Sequence, residues 1–156
     1  AISKIKDLNF EYWIAGIGEL ESDLKLQVKN LGLQKRVKFL GYIDDIPSLL
    51  KRANIFLIPS NWEGFGLAAV EAMNASLPCV MSDVPGLGDL IKKDGEDAFK
   101  VDPSNEKVIA EKLKLLIENK ELCDEMGKKA FYQSLNFGVN KMIKHYIKLY
   151  KQCYND

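Results

Sequence analysis

The chain has 156 residues, of which 47% are apolar and 28% are charged, a composition typical of ordinary globular proteins. Its 22 Lys and Arg residues balance its 22 Asp and Glu residues, which argues against a nucleic-acid binder that relies on a strong positive field. The apolar runs are too short to span a bilayer. Three widely spaced cysteines, Cys79, Cys123 and Cys153, suggest neither a disulfide framework nor a metal pair, so we expect a reducing, cytoplasmic location.

Short apolar runs alternate with amphipathic segments along most of the chain. Strands are predicted at residues 10–16, 36–42, 54–60 and 77–84, and a last strand ends at Val101. Helices are predicted at residues 19–32, at 45–53 with Asp44 or Asp45 as the cap, and after Gly66. From residue 104 onward the chain is predicted to be helical, with breaks near residues 119 and 136–138. This alternation predicts an α/β protein with a parallel sheet, helices on both faces and a helical C-terminal tail.

Three loops that follow predicted strands carry unusual sequences. They are AGIGE after the first strand, GYIDD after the second and SNWEGFG after the third. Ligands of parallel α/β sheets bind at the carboxyl ends of strands, in the loops that lead into helices. We therefore expect Gly16, Gly18, Tyr42, Glu63 and Gly66 to lie along one rim of the sheet.

The segment EGFGLAAVEAMNAS, residues 63–76, has a recognisable chemical logic. Gly64 and Gly66 permit backbone conformations that are closed to other residues and let a ligand approach the chain. The free N–H groups of residues 65–68 at the predicted helix start suit a phosphate group. The carboxylate of Glu71 accepts two hydrogen bonds, which fits a vicinal diol such as ribose. With Glu63 placed to accept from sugar hydroxyls or to stabilise developing positive charge, the segment suits a nucleotide sugar.

Simpler structural interpretations stay open for each of these residues. A single Gly-x-Gly loop is often only a turn, and a glutamate near a helix start is often only a favourable partner of the helix dipole, as Glu71 would be. The Phe65 ring would serve equally well to wedge the loop into the core or to contact a ligand. Trp62 is a candidate sugar-stacking ring, although an aromatic residue in a loop more often packs against protein.

Residues 37–91 taken together resemble the donor-binding domain of family 4 glycosyltransferases, which have the GT-B fold. The shared pattern is a strand that ends in Pro-Ser, then Glu-Gly-Phe-Gly, then Glu-Ala-Met, then a proline that opens the next strand. The two glutamates of the pattern are separated by seven residues, as Glu63 and Glu71 are. Upstream, WIAGIGE resembles a family strand that ends in Gly-x-Gly-Glu, and residues 94–130 resemble the turn, strand and helical tail of the family.

The resemblance implies a role for each residue of the pattern. Glu63 would be the catalytic residue at the donor hexose, and Glu71 would hold the ribose hydroxyls. The remaining donor-binding residues would contribute backbone amides to the sugar and diphosphate or would line the base and ribose; they are Gly16, Tyr42, Ile43, Gly64, Phe65, Gly66, Leu67 and Ala68. The substrate would be a nucleotide-diphosphate sugar of UDP or GDP type, without a cofactor and without a metal held by an Asp-x-Asp motif.

The resemblance also implies how the whole protein is organised. Residues 1–156 would be a single Rossmann-like domain, half of a GT-B fold, without the N-terminal acceptor domain and without the first strand and helix of the donor domain. An Arg and a Lys that clamp the diphosphate in the family belong to that missing unit, so we expect weak donor binding and no turnover by this chain alone. Members transfer sugars with retention of configuration, often to lipid-linked or saccharide acceptors, which implies bacterial polysaccharide or glycolipid synthesis at the inner face of the membrane.

Two further hypotheses stay open at this stage. The chain is alternatively a nucleotide- or sugar-phosphate-binding module without transferase activity, or an interaction domain in which the Glu-Gly-Phe-Gly turn is purely structural. The C-terminal helix carries an apolar face that includes Met142, Ile143, Tyr146, Ile147 and Tyr150, opposite a lysine face. Packing against protein is the simpler expectation for that helix, and binding to a membrane surface is the alternative.

Overall fold

The structure is a computed structural model that describes residues 1–155. Its five strands are β1 (Tyr12–Ala15), β2 (Val37–Gly41), β3 (Phe56–Ile58), β4 (Cys79–Ser82) and β5 (Phe99–Val101). Its six α-helices are α1 (Glu21–Asn30), α2 (Ile46–Arg52), α3 (Leu67–Asn74), α4 (Glu106–Glu118), α5 (Lys120–Ser134) and α6 (Val139–Asn155). Short 3₁₀ helices occupy Ile2–Ile5, Gly88–Leu90 and Leu135–Phe137. The order of elements is the one that the sequence predicts.

The strands are parallel and have apolar clusters on both faces, which confirms the predicted α/β class. Successive residues of β4 point to opposite faces, as the pleat of a strand requires. Cys79 and Met81 pack in one cluster with residues of α3 and α5, whereas Val80 packs in the other with residues of α4 and β5. The Cys79 thiol is fully buried, and this burial raises its pKa, so the residue is an inert part of the core.

The strands form two separate sheets rather than one continuous sheet. β1 pairs with β2, and β3 pairs with β4, which pairs with β5. Within residues 1–155, therefore, β1 and β3 each have a strand partner on one edge only. The consequence is visible in burial, because all four residues of β4 are buried whereas every residue of β3 is only half-buried. Strand spacing along the sequence does not reveal such a break, since it predicts strands but not their neighbours.

Side-chain caps mark the starts of α2, α4 and α5. Asp45, and not Asp44, caps α2, because its carboxylate accepts a hydrogen bond of 3.0 Å from the backbone N–H of Ser48. Hydrogen bonds from Ser48 hold the pKa of the Asp45 carboxyl below its usual range. Asn119 ends α4 and caps α5 by accepting from the N–H of Leu122, which explains the predicted break at this position.

Ser76 is the one non-glycine residue with a positive φ among the residues that the structure describes, and its φ is 61°. A left-handed conformation costs an L-residue about 1–2 kcal/mol, and glycine adopts it without that cost. We expect Ser76→Gly to raise the free energy of unfolding by about 1 kcal/mol. Urea denaturation of both proteins measures this, with the exposed Ser104→Gly as a control that has no such strain to relieve; an unchanged or lower stability in Ser76→Gly would contradict the expectation.

The C-terminal helix does not pack against the rest of the domain. Residues 140–154 are all exposed, and the helix adjoins the body of the domain through the 3₁₀ helix Leu135–Phe137. Its apolar face is therefore open to solvent in this chain, so the simpler expectation, packing of this helix, is not met within residues 1–155. None of the helices described is long and apolar enough to cross a bilayer.

Candidate functional site

The central feature of the site is the turn between β3 and α3. The turn runs from Pro59 to Gly66, and Gly66 stands at the N-cap of α3 with φ 84° and ψ 50°, a left-handed conformation that favours glycine. An added Cβ at Gly66 would lie 2.6 Å from the Leu87 side chain. Both the left-handed conformation and the close approach of the buried Leu87 side chain therefore favour glycine at this position.

The backbone amides of this turn are available to a ligand. In the described residues, the N–H groups of residues 64–68 donate no hydrogen bond to protein, whereas the next two, Ala69 and Val70, both donate to the Gly66 carbonyl. Gly64, Phe65, Leu67 and Ala68 are exposed, whereas Gly66 between them is buried, so the N–H groups on either side of Gly66 are the accessible ones. A cluster of free N–H groups at a helix N-terminus is an anion-binding arrangement, as the sequence predicts.

The two glutamates have different surroundings. Glu63 is half-buried, and its Oε1 accepts a hydrogen bond of 3.1 Å from the Ser60 hydroxyl, which holds the carboxylate beside the turn. Glu71 is exposed, and within residues 1–155 its carboxylate has no hydrogen bond or ion pair. Glu71 is the fifth residue of α3, beyond the first turn where the helix dipole acts most strongly. The interpretation of Glu71 as a mere dipole partner is therefore weakened.

A second loop, which follows β4, packs against the backbone of the turn. The sequence patterns did not indicate this contact. Gly86, in the loop after β4, has φ 87°, and an added Cβ would lie 2.7 Å from the Glu63 carbonyl oxygen and 3.1 Å from the carbonyl group of Gly64. Leu87, beside it, is fully buried against Gly66. The two glycines of VPGLGDL were the signal in the sequence for this contact, because glycine is favoured where two backbones approach each other closely.

We expect Gly86→Ala to lower the free energy of unfolding by about 1–3 kcal/mol, because the new methyl group meets backbone and the left-handed φ is strained. Gly64→Ala is the matched control for stability, since Gly64 has no atom within 4 Å of an added Cβ and no positive φ. Chemical denaturation of the two variants measures the difference. Equal stability of Gly86→Ala and Gly64→Ala would show that the loop after β4 does not hold the turn.

The two aromatic residues of the turn differ in their surroundings, since Phe65 packs against another ring and Trp62 is exposed. The Phe65 ring packs edge-on against the Phe137 ring, with centroids 5.9 Å apart, so its side chain serves packing while its backbone N–H stays free. The ring thus anchors the turn to the 3₁₀ helix that follows α5. Trp62 is 77% exposed, which leaves its indole face accessible to a ligand.

The other predicted site residues form a second group at the carboxyl ends of β1 and β2. Gly16 has φ 120°, and its N–H donates to the Gly41 carbonyl at 2.7 Å, which holds the loops after these two strands together. Tyr42 is 72% exposed. Ile43 lines a cleft of about 270 Å³ between this sheet and α2, which also includes Trp13 and Arg52. In the part of the chain described, no hydrogen bond joins this group to the Glu63 turn.

Comparison with known proteins identifies the family. The family described as "Glycosyl transferases group 1" matches residues 1–133. The chain belongs to this family. The match includes both loop groups of the site and every donor-binding candidate of the sequence analysis, and it confirms the resemblance to glycosyltransferases.

Individual relatives with glycosyltransferase names agree with this assignment. The UDP-Gal:alpha-D-GlcNAc-diphosphoundecaprenol alpha-1,3-galactosyltransferase of Escherichia coli is 43% identical over 82 residues, which cover 52% of this chain and 21% of the relative. An uncharacterised glycosyltransferase of Methanocaldococcus jannaschii is 30% identical over 153 residues, which cover 97% of this chain and 43% of the relative. The chain thus spans less than half the length of these relatives.

A solved structure has the same fold as this chain. Anabaena HepE in complex with UDP-glucose superposes with a TM-score of 0.83 at 27% identity, over 91% of this chain and 41% of that one. The agreement confirms the predicted Rossmann-like domain of the GT-B type. This chain spans less than half the length of the HepE chain, as it does for the two sequence relatives.

Proposed function

We propose that this chain is the donor-binding domain of a retaining glycosyltransferase that transfers a hexose from a nucleotide-diphosphate sugar to an acceptor. The observation that carries the proposal is the row of free amides at the start of α3, flanked by Glu63 on one side and Glu71 on the other. Phosphate, sugar hydroxyls and ribose hydroxyls are the groups that these three features accept. The UDP-glucose bound by HepE and the UDP-Gal in the name of the E. coli relative support a nucleotide sugar.

We assign the roles within the site as the family resemblance implies. The N–H groups of Leu67 and Ala68, at the start of the helix, bind the diphosphate and stabilise the charge that develops on it as the glycosidic bond breaks. The amides of residues 64–66 and the carboxylate of Glu63 bind the hexose. Glu63 then faces the positive charge that develops at the sugar ring, and the hydrogen bond from Ser60 keeps its carboxylate in place.

The ribose and base of the nucleotide lie toward the loops that follow β1 and β2. The exposed carboxylate of Glu71 accepts from the two ribose hydroxyls, and Gly16 with residues 42–43 lines the base and ribose. In this arrangement catalysis depends on positioning and on stabilisation of the leaving group, and the acceptor attacks from the face that the diphosphate leaves, with retention of configuration.

The rest of the enzyme is part of the same proposal. An acceptor domain beyond this chain closes over the donor and presents the acceptor hydroxyl. A lipid-linked acceptor is supported by the E. coli relative, whose name includes a diphosphoundecaprenol-linked sugar. We place the complete enzyme in the bacterial cytoplasm, peripherally at the inner membrane face, in polysaccharide or glycolipid synthesis.

Ligand-observed NMR of this chain against a panel of UDP-, GDP- and ADP-sugars tests donor binding. We expect saturation transfer to one class of nucleotide sugar and at least a tenfold loss of affinity in Glu71→Ala, because two hydrogen bonds to a carboxylate are removed. Glu121→Ala is the matched control, since Glu121 lies in the first turn of α5, away from the site. Equal binding by wild type and Glu71→Ala would contradict the assignment of Glu71.

A further inference from the structure

The part of the turn that carries the free amides has few side chains to hold it in shape. Phe65 stands between two glycines, the residues with the greatest backbone freedom, and a Cβ added at Gly64 would have no neighbour within 4 Å. The N–H groups of residues 64–68 donate to no protein group within the described residues. The direction of the peptide groups on either side of Phe65 therefore depends on what the Phe65 side chain contacts.

The Phe65 ring is held by a residue far along the chain. Its side chain is 44% exposed, and its ring packs edge-on against Phe137 with centroids 5.9 Å apart and an interplanar angle of 73°. Aromatic pairs of this geometry attract each other by more than the area they bury. Phe137 is half-buried and packs against the apolar cluster between α3 and α5. The Phe65 ring thus contacts a partner that is itself attached to the core.

The same segment also reaches the loop after β4. The Nε2 of Gln133 donates a hydrogen bond of 3.0 Å to the carbonyl oxygen of Leu90. Leu90 is buried, and its side chain would lie 3.4 Å from a Cβ added at Gly66. Gln133, near the end of α5, and Phe137, at the end of the following 3₁₀ helix, are only four positions apart. The end of α5 therefore contacts the turn directly through Phe137 and indirectly through Leu90.

The helix α5 is a suitable base for the turn because it also packs along α3. Ser134 is buried, and its Oγ lies 3.5 Å from the Oδ1 of Asn74, the last residue of α3. One segment is thus attached both to the body of α3 and to Phe65 ahead of it. This attachment fixes the direction of the amides of residues 64–66 relative to those of residues 67–68. A donor that spans both sets of amides requires that relation to stay constant.

We propose that Phe137 and Gln133 are positioning residues of the donor site. Phe137 holds the peptide groups on either side of Phe65, and Gln133 holds the loop after β4 that packs against the turn. Both act through the turn and not by contact with the donor. They keep the amides aimed at the diphosphate and hexose before the donor binds, so that less conformational entropy is lost on binding. This role rests on the proposed function, since the site that the two residues position is the donor site.

Backbone ¹⁵N relaxation and a UDP-glucose titration of the 156-residue chain test these roles in Phe137→Ala. Without ligand, we expect lower amide order parameters at residues 64–66 and unchanged ones at residues 69–71 within α3. The affinity for UDP-glucose is expected to fall by about fivefold, the equivalent of one lost aromatic pair. Leu135→Ala is the matched control, because Leu135 lies in the same 3₁₀ helix and is 53% exposed. The control is expected to change neither quantity.

Two further variants separate positioning from a general loss of packing. Phe137→Leu keeps an apolar side chain against Phe65, so we expect it to recover most of the order and the affinity. Gln133→Met keeps the length of the side chain and removes the hydrogen bond to Leu90. It is expected to weaken UDP-glucose binding by about two- to threefold, the usual effect of one neutral hydrogen bond.

The possible outcomes distinguish this inference from the proposed function. Equal affinity for UDP-glucose in wild type and Phe137→Ala would overturn the inference and leave the proposed function intact. If Phe137→Ala loosens the whole domain, unchanged affinity in Gln133→Met would overturn the inference instead. Absence of UDP-glucose binding by the wild-type chain would contradict the proposed function itself, and the two residues would then have a structural role only.

Discussion

Replacement of Glu63 by alanine in the complete enzyme is expected to lower the rate of sugar transfer by about 10²–10³-fold, the usual effect of removing one preorganised electrostatic group from an active site. Glu63 is the half-buried carboxylate nearest the turn, and in the proposed function it faces the charge that develops on the donor hexose. A radiolabelled-donor transfer assay measures the rate. Because the group acts on the transition state, the loss is expected mainly in kcat rather than in KM.

Two other variants separate this role from simple disturbance of the loop. Ser60→Ala removes the hydrogen bond to Glu63 and keeps the charge, so its expected loss is less than about tenfold. Glu71→Ala is expected to raise KM and to change kcat little. A Glu63→Ala enzyme that retains wild-type kcat would exclude Glu63 from the chemistry.

Replacement of Gly127 by alanine is expected to lower the free energy of unfolding by about 2–3 kcal/mol, the upper part of the range for overpacked cores. Gly127 lies within α5, and an added Cβ there would be 2.2 Å from the Ser76 carbonyl oxygen and 3.1 Å from the Ser76 carbonyl carbon. Alanine has a helix propensity about 1 kcal/mol better than glycine, so propensity alone favours the substitution. The clash with backbone outweighs that gain, since a main-chain carbonyl has no rotamer with which to move aside.

Lys128→Ala is the control for this prediction because Lys128 is the exposed next residue of the same helix. Its effect on stability is expected to stay within about 0.5 kcal/mol. Urea unfolding of both variants provides the comparison. A Gly127→Ala protein as stable as Lys128→Ala would show that α5 and the end of α3 can separate without cost.

Much of the fold could be predicted because the relevant signals are local. The apolar runs around Ile14, Leu57 and Val80 and the capping asparagine Asn119 each determine structure within a few residues. The turn from Glu63 to Gly66 was predicted on the same basis, since glycine spacing and the start of an apolar helix lie in one short segment.

The features that could not be predicted depend on contacts between distant parts of the chain. The approach of Gly86 to Glu63 and of Gly127 to Ser76 joins residues from separate elements, and a single sequence does not show which glycine faces which carbonyl. The break between β1 and β3 is likewise a property of strand neighbours. The sequence also left open whether Asp44 or Asp45 caps α2, because both lie one turn or less before the helix.

The most direct test of the candidate site is a titration of ¹⁵N-labelled chain with UDP-glucose, followed by backbone amide chemical shifts. We expect the largest shift changes at residues 64–68, where the free N–H groups lie, and smaller changes near Gly16 and Tyr42. Saturable changes confined to the cleft beside Trp13 and Arg52, with none at residues 64–68, would contradict it, because the nucleotide sugar would then bind away from the start of α3.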